Sequence, residues 1–395
     1  MAVAETRRVG NSQPDLLLLG LVLGLVVLGL LLVYSSSFAL GVLAFGDANY
    51  FVVRQAIWAT LGVGLMLVLM QIDYRWLRDV SPLLMLVAIV GLVAVLVPGL
   101  GLERNGAQRW LALGPLPPVQ PSEFAKLALI VYVAAFLSGK RTHVRSFTLG
   151  FVPFVVMVGI VAGLVLLEPD TGTAAVLVLT TVTLFFIAGA SLTHMAGLLG
   201  FGSIAATFLI LTAGYRIDRL VAFVRAEDDP SGIGFQTLQL LIALGSGGIE
   251  GLGLGASRQK FFYLPGSHTD GVFAVVGEEL GFIGAMGVLL LLAALVYRGF
   301  RVMLNARDDF GALLATGIVC WIAYQALINV GGITRTIPLT GIPLPFLSYG
   351  GSSLAALLAA AGILLSISRH ANDPPSVERE RGDSRHRAVR RQGAR

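Results

Sequence analysis

Asp270 is the carboxylate best placed to act as a base. It lies in the stretch Lys260 to Gly281, KFFYLPGSHTDGVFAVVGEELG, behind a Pro-Gly-Ser turn signal and just before an apolar run that starts at Val272. That position predicts a membrane boundary, where a carboxylate is partly dehydrated and an ionisable side chain is costly enough to be a functional candidate. The N-terminal dipole of the following helix favours its charged form, and a plain N-cap aspartate is an equally good reading of the same position. His268 stands two residues before it, and Glu278 and Glu279 two turns beyond it. For the two glutamates, a buried structural pairing with a basic group competes with a supporting acidic role.

Other polar groups fall in a few short stretches. Arg109, Arg258 and Lys260 are cations suited to an anionic group such as a pyrophosphate. Singly, each reads as a solvated or headgroup-contacting charge; as a set beside Asp270, they argue for an anionic substrate. In PSEFAK, Ser122 is a candidate N-cap, and Glu123 and Lys126 share one helical face, as a functional pair or an interfacial ion pair. EPDTGT puts Glu168 and Asp170 at a short turn, where Asp170 reads first as the cap of the next helix. Pro338 to Ser353, PLTGIPLPFLSYGGSS, has three prolines and three glycines and holds Ser348, so it cannot be a regular helix. Such backbone at membrane depth is tolerated only where protein buries it or where it lines a cavity. A cavity wall near Asp270 is the preferred reading, with a plain re-entrant turn as the alternative. The glycines of GSGGIEGLGLGASRQK follow no strand, so a flexible or close-packed loop fits better than a dinucleotide site. No P-loop, zinc signature or EF-hand loop is present, and the lone Cys320 rules out an internal disulfide.

The elements that must position these groups are membrane helices. At 56% hydrophobic and 13% charged residues, the 395-residue chain is far from the roughly 25% charged content of soluble domains. A spanning helix needs about 20 apolar residues. Ten runs approach this: Leu16 to Val33, Phe51 to Met70, Pro82 to Val97, Phe124 to Leu137, Phe147 to Leu167, Thr173 to Ile187, Leu192 to Leu211, Val272 to Val296, Phe310 to Val330 and Leu354 to Ile367. The fold expected is therefore all-α, a polytopic protein of ten transmembrane helices. A long outer loop, 212–271, joins helices 7 and 8, and a re-entrant outer segment precedes helix 10. The first run is too long for a typical signal peptide core and is expected to be retained.

With ten crossings both termini share a side. Of the 28 Lys and Arg residues, 18 fall on the side of the termini, which the positive-inside rule assigns to the cytoplasm. The loops near 98–123, 168–172, 212–271 and 331–353 then face outside, and they hold every motif-rich stretch. The net charge of +5 reads as topology, not as a nucleic-acid partner. Residues 1–14 form a cytoplasmic segment, 15–368 the membrane domain, and 369–395 a basic tail expected to be disordered.

Four stretches, GAQRWLALG with QPSEFAKLALI, EPDTGTA, SRQKFFYLPGSHTD with GEELGFIG, and PLTGIPLPFLSYGGSS, resemble the SEDS family of shape, elongation, division and sporulation proteins. The resemblance runs from about Tyr34 to Ser368 and is closer to the FtsW division or sporulation branch than to RodA. It implies a peptidoglycan glycosyltransferase that polymerises lipid II at the outer face of the plasma membrane, at the division septum. The implied partners are a class B penicillin-binding transpeptidase and other divisome membrane proteins. Asp270 matches the family's essential aspartate, Glu123 and Lys126 its charged helix pair, and Asp170 the acidic residue of its short outer loop. Two positions depart from the pattern. Gly271 replaces a large apolar residue and is expected to loosen the packing beside Asp270. Arg335 replaces a small residue, either adding a cation to the cavity or salt-bridging elsewhere. In the implied reaction Asp270 is the general base for the acceptor hydroxyl, with inversion at the donor anomeric carbon. Arg and Lys, or a divalent metal ion (Mg2+ or Mn2+) held between Asp270 and phosphate, could stabilise the departing pyrophosphate; no organic cofactor is expected. A lipid II flippase or transporter, and a scaffold recruiting a transpeptidase, are the rival functions.

Overall fold

The computed structural model describes residues 13–104, 107–112, 118–139, 143–212, 214–228, 232, 234–261 and 264–371. The basic tail beyond 371 and the first twelve residues, including most of the N-terminal segment, lie outside them. The described chain is mostly helical. Its elements are α1 (Leu16–Phe45), α2 (Tyr50–Gln71), α3 (Trp76–Leu96), the strands β1 (Gly101–Arg104) and β2 (Ala107–Leu111), α4 (Pro121–Gly139), α5 (Val152–Leu167), α6 (Thr171–Ile187) and α7 (Leu192–Thr212). They continue with α8 (Gly214–Val224), α9 (Phe235–Ser246), α10 (Val272–Leu304), α11 (Asp309–Ile333) and α12 (Gly351–His370). A π turn, Phe147–Phe151, leads into α5.

Eight of these helices are long and apolar enough to cross a membrane: α1 to α4, α5 with its π turn, α10, α11 and α12. The apolar helix α6 and the apolar stretch Leu192–Phe208 of α7 are shorter. Most spans bury one side and leave leucines and valines facing outward. By contrast, α12 is buried along nearly its whole length and forms the axis of the bundle. Small residues make that possible: a Cβ on Gly62 of α2 would lie 2.6 Å from Leu358 Cδ1, and one on Gly362 would lie 2.6 Å from Met66 O. In lipid, where tails compete equally for apolar contact, such close backbone approach is what drives helix association.

Several elements depart from the sequence-based expectation. The first helix continues past Val33 to Phe45. Ser36 Oγ and Ser37 Oγ donate to the carbonyls of Leu32 and Val33 at 2.7 and 2.6 Å, so a polar triplet is absorbed without ending the helix. The 98–123 loop contains an antiparallel hairpin, β1 with β2. The 212–271 loop is not simply a loop, since it holds α8 and α9. α8 is amphipathic, with Ile217, Leu220, Val221 and Val224 recurring at helical spacing.

α10 is broken at Gly281, whose φ of 66° and ψ of −165° are non-helical. The break frees backbone groups that the glycine-rich loop then satisfies. Leu252 N and Gly253 N donate to the carbonyls of Glu278 and Glu279 at 3.0 and 2.9 Å, and Phe282 N donates to Gly248 O at 2.9 Å. The stretch GSGGIEGLGLG is thus a close-packed loop wrapped on a broken helix, the condition under which irregular backbone survives inside a membrane protein.

Both described chain ends lie on one face. Asp15 N, at the start of α1, donates to Ser368 Oγ near the end of α12 at 3.1 Å, and Asp15 pairs with Arg298 near the end of α10.

Candidate active site

Asp270 ends a compact turn in which Thr269 N and Gly271 N both donate to Gly266 O at 2.9 Å. The helix cap is Gly271, and its N-cap position makes no side-chain hydrogen bond, so Asp270 is not the N-cap of α10. Its carboxylate is held elsewhere. Oδ1 accepts from Thr269 Oγ1 at 3.0 Å, and Oδ2 accepts from Gln236 Nε2, in the first turn of α9, at 3.3 Å. Gly266, at φ 69°, is required beneath it, because a Cβ there would lie 2.2 Å from Oδ1. Gly271 is also tightly packed: a Cβ would meet Gly266 O at 3.1 Å and the side chains of Leu240 and Leu264 at 3.4 Å. The expectation that Gly271 loosens this site is therefore corrected, since α9 fills the space a larger residue would take.

The opposite wall is the irregular segment after α11. Gly341, at φ 75°, stands between two charged groups: its Cβ position is 3.8 Å from both Asp270 Oδ2 and Arg219 Nη2. Arg219, on α8, also donates from Nη1 to Thr340 O at 2.9 Å and to Leu339 O at 3.4 Å. Asn329 of α11 ties the two walls together, donating from Nδ2 to Asp270 O at 2.9 Å and to Ile342 O at 2.7 Å. Burial pushes the Asp270 carboxyl above the usual carboxylate range, opposed by the Thr269 hydrogen bond, the turn backbone, the Arg219 charge and Gln236. A carboxylate of raised basicity, half-buried and beside a fixed guanidinium, suits proton abstraction.

The four motif stretches meet around this point. Arg109, on β2, donates from Nε to Glu168 O at 3.0 Å and from Nη2 to Pro169 O, so the hairpin grips the turn before α6. Asp170 caps α6, accepting from Thr173 N at 3.0 Å, and also receives Gln120 Nε2 at 3.3 Å. Gly172 abuts the Pro338–Ser353 segment, where a Cβ would lie 2.5 Å from Ile342 Cγ1 and 3.3 Å from Thr340 Cβ. Glu168 is buried, and neither side-chain oxygen is hydrogen-bonded to a described residue. Desolvation, reinforced by neighbouring Asp170 and opposed by Arg109, pushes its carboxyl up to about 8.

Deeper in the bundle, Lys126 Nζ pairs with Glu123 Oε1 at 2.9 Å and donates to Gln325 Oε1 at 3.2 Å. Gln325 passes the connection on, donating from Nε2 to Pro343 O at 3.0 Å. Gln325 and Asn329, one turn apart on α11, therefore form a polar rail linking the Glu123–Lys126 pair to the backbone of Asp270.

Other candidates lie apart from the carboxylate or are occupied. Lys260 Nζ is buried against Glu279 Oε1 at 2.7 Å, with Ser35 Oγ also on Glu279. Glu278 accepts from Ser257 Oγ and from Arg258 N, the latter at 2.8 Å, fixing the loop before the site. The Arg258 side chain is exposed. His268 packs between the rings of Phe51 and Tyr349, at 4.7 and 5.5 Å, and burial lowers its pKa to about 4, so it is neutral and apolar in role. Ser348 Oγ accepts from Leu344 N at 2.9 Å and closes the segment's own turn. Arg335 salt-bridges Glu227 and donates from Nε to Phe223 O at 2.8 Å, which settles its alternative: it pins the end of α8. Among the described residues, no three His, Cys, Asp or Glu side chains converge as metal ligands. The described residues thus offer no three-ligand cage around Asp270, whose oxygens accept from Thr269 and Gln236.

Arg219, Gln236 and Asn329 were not found from sequence. Arg219 was hidden inside a stretch read as loop, although the apolar spacing of 217–224 signals an amphipathic helix. Gln325 and Asn329 could have been flagged as polar residues spaced one turn apart inside an apolar span.

Fold and site together define a multi-pass helical membrane protein whose motif-bearing loops converge on one half-buried carboxylate. The chain belongs to the FtsW/RodA/SpoVE family of cell cycle proteins, the SEDS family, matched over residues 15–373, and falls with its FtsW-like members. It is 46% identical over 362 residues to stage V sporulation protein E of Bacillus subtilis, covering 91% of this chain and 98% of that one. It is 44% identical over 361 residues to the probable peptidoglycan glycosyltransferase FtsW of Trichlorobacter lovleyi, covering 90% and 93%. Among solved structures, a chain of a peptidoglycan synthase complex that coordinates polymerization and crosslinking aligns with a TM-score of 0.75 at 30% identity, covering 91% of this chain and 99% of that one. The rod shape determining protein RodA of Thermus thermophilus aligns at 0.67 and 29% identity, covering 91% and 98%.

Proposed function

We propose that the chain is a peptidoglycan glycosyltransferase that polymerises lipid II at the outer face of the plasma membrane during cell division, with Asp270 as general base. The observation that carries this reading is the carboxylate of Asp270, raised in basicity by burial and set opposite the Arg219 guanidinium where the four motif stretches meet. Supporting it are relatives named as probable peptidoglycan glycosyltransferases and the likeness to a chain of a peptidoglycan synthase complex.

In this reading the helices α1 to α7 and α10 to α12 make ten crossings, with both termini in the cytoplasm. The acceptor's 4-hydroxyl attacks the anomeric carbon of a second lipid-linked sugar. As the new C–O bond forms, Asp270 takes the hydroxyl proton, a contribution of roughly 10²- to 10⁴-fold. The bond from the anomeric carbon to polyprenyl pyrophosphate breaks from the opposite side, giving inversion. Arg219, held on the carbonyls of Leu339 and Thr340, is positioned to offset charge on the leaving pyrophosphate. Exposed Arg258 is a further cation for the headgroup. Glu123, Lys126 and Asp170 shape the walls through Gln325 and Gln120, while Lys260, Glu278 and Glu279 fix the loop that carries the base. A divalent ion, where the reaction uses one, would draw on the Asp270 carboxylate and on substrate oxygens rather than on a protein cage, and would supply charge neutralisation. A class B penicillin-binding transpeptidase is the partner this reading requires.

The test is glycan polymerisation from lipid II by purified protein with a divalent cation and the transpeptidase partner. Wild type should make polymer and Asp270→Asn should not. Polymer from the variant at the wild-type rate defeats the base assignment; none from wild type defeats the enzyme reading.

A further inference from the structure

Away from Asp270, on the face where α1 begins and α10 and α12 end, the bundle contains a cavity of about 660 Å³. The distribution of Lys and Arg assigns this face to the cytoplasm. The volume falls within the roughly 300–1,000 Å³ of small-molecule sites. Its polar lining comes from Asp15, Arg298, Arg301, Asn305, Gln13 and Ser368. Arg298, Arg301 and Asn305 recur at helical spacing near the end of α10 and so present one face.

The charges select a ligand class. Asp15 pairs with Arg298, Arg301 adds a second guanidinium, and Arg307 donates from Nε to the lining Ala371 O at 3.0 Å, so cations outnumber the one aspartate. Among the described residues, Arg298 Nε is buried without a hydrogen-bond partner. Arg301 is exposed and, among the described residues, donates to Tyr297 OH at 3.3 Å. An excess of cations, with the exposed Arg301 guanidinium fork able to donate, suits a phosphodiester anion. Gln13, Asn305 and Ser368 supply uncharged polar groups for a hydroxylated headgroup. Leu16 and Leu17, 64% and 56% exposed in the first turn of α1, give the cavity an apolar lip facing the hydrocarbon.

We propose that this cavity binds the headgroup of an anionic phospholipid of the inner leaflet, its phosphodiester on Arg298 and Arg301 and its acyl chains along the start of α1. Basic pockets between membrane helices at the cytoplasmic side take lipid headgroups in this way, each basic residue contributing about 1 kcal/mol, or about fivefold in affinity. The site is separate from the proposed polymerase chemistry, and its test needs no turnover.

The full chain, purified with a mixture of phosphatidylglycerol and phosphatidylcholine, is examined by native mass spectrometry for retained lipid. Wild type should retain phosphatidylglycerol in preference. Arg301→Gln should weaken that preference about fivefold, while Arg301→Lys retains it. Asp15→Asn keeps the helix cap but removes the competing charge, and should strengthen it. Thermal unfolding in detergent, with inorganic phosphate or with phosphatidylglycerol micelles, separates the sources of the anion. Equal retention of the two lipids by wild type, or an unchanged preference in Arg301→Gln, would overturn the site. Equal protection by inorganic phosphate would overturn its assignment to a lipid.

Discussion

The Glu123–Lys126 pair offers a quantitative test of how the interior is held. Both side chains are 1–2% exposed, and Nζ lies 2.9 Å from Oε1. At an effective dielectric of about 20, that separation corresponds to roughly 6 kcal/mol of attraction, set against the cost of taking both ions out of water. Lys126→Met keeps most of the side-chain volume but strands Glu123, whose Oε2 already has no hydrogen-bond partner among the described residues. Stranding a buried charge in this way costs about 3–5 kcal/mol. Gln325 is less affected, because Trp321 Nε1 still donates to its Oε1 at 2.7 Å. In Glu123→Gln with Lys126→Met, no charge remains to strand. The double variant should therefore be more stable than either single variant, with a coupling energy of about 3 kcal/mol. Reversible unfolding in mixed micelles, followed by the fluorescence of Trp321 and the other tryptophans, measures the cycle. Additive costs in the double variant would refute the claim that the two charges depend on each other.

Two further outcomes concern the site. Asn329→Ala deprives the carbonyls of Asp270 and Ile342 of their shared donor, so turnover should fall roughly 10- to 100-fold with substrate affinity less affected. Asn329→Asp, which sets an oxygen against those carbonyls, should fall at least as far, and unchanged turnover in both variants would remove Asn329 from the positioning of the base. The pH profile follows from the raised Asp270 carboxyl. A base must be deprotonated, so polymerisation should be lost as pH falls through a value above the ordinary aspartate pKa of about 4. Because the Arg219 charge holds that value down, Arg219→Gln should move the acid limb to higher pH; a limb that stays in place would show that another group titrates.

Which parts of this molecule were written in the chain, and which needed the fold, divides along physical lines. Hydrocarbon imposes a one-dimensional rule, about 20 apolar residues per crossing, so the helices of the bundle could be placed from the sequence alone. The same rule singles out Asp270, since a carboxylate at the edge of an apolar run is costly and stands out against its neighbours. Helix ends were less legible, because Ser36 and Ser37 satisfy their hydroxyls within α1 and no local signal stops it. The surroundings of Asp270 were written locally only in the turn, through Thr269 and Gly266. Arg219, Gln236 and Asn329 come from α8, α9 and α11, and only packing brings them to one point. Packing also gave partners that sequence had not assigned: Lys260, ten residues before Asp270, is buried on Glu279 at 2.7 Å. Gly271 shows the same limit from the other side. Read along the chain it was a missing side chain, and only the fold revealed that Leu240 of α9 already occupies its place. The chain determined which groups border its apolar runs, because solvation acts residue by residue. The tertiary structure decided which of them meet, because a buried charge takes whichever partner the packing brings within about 3 Å.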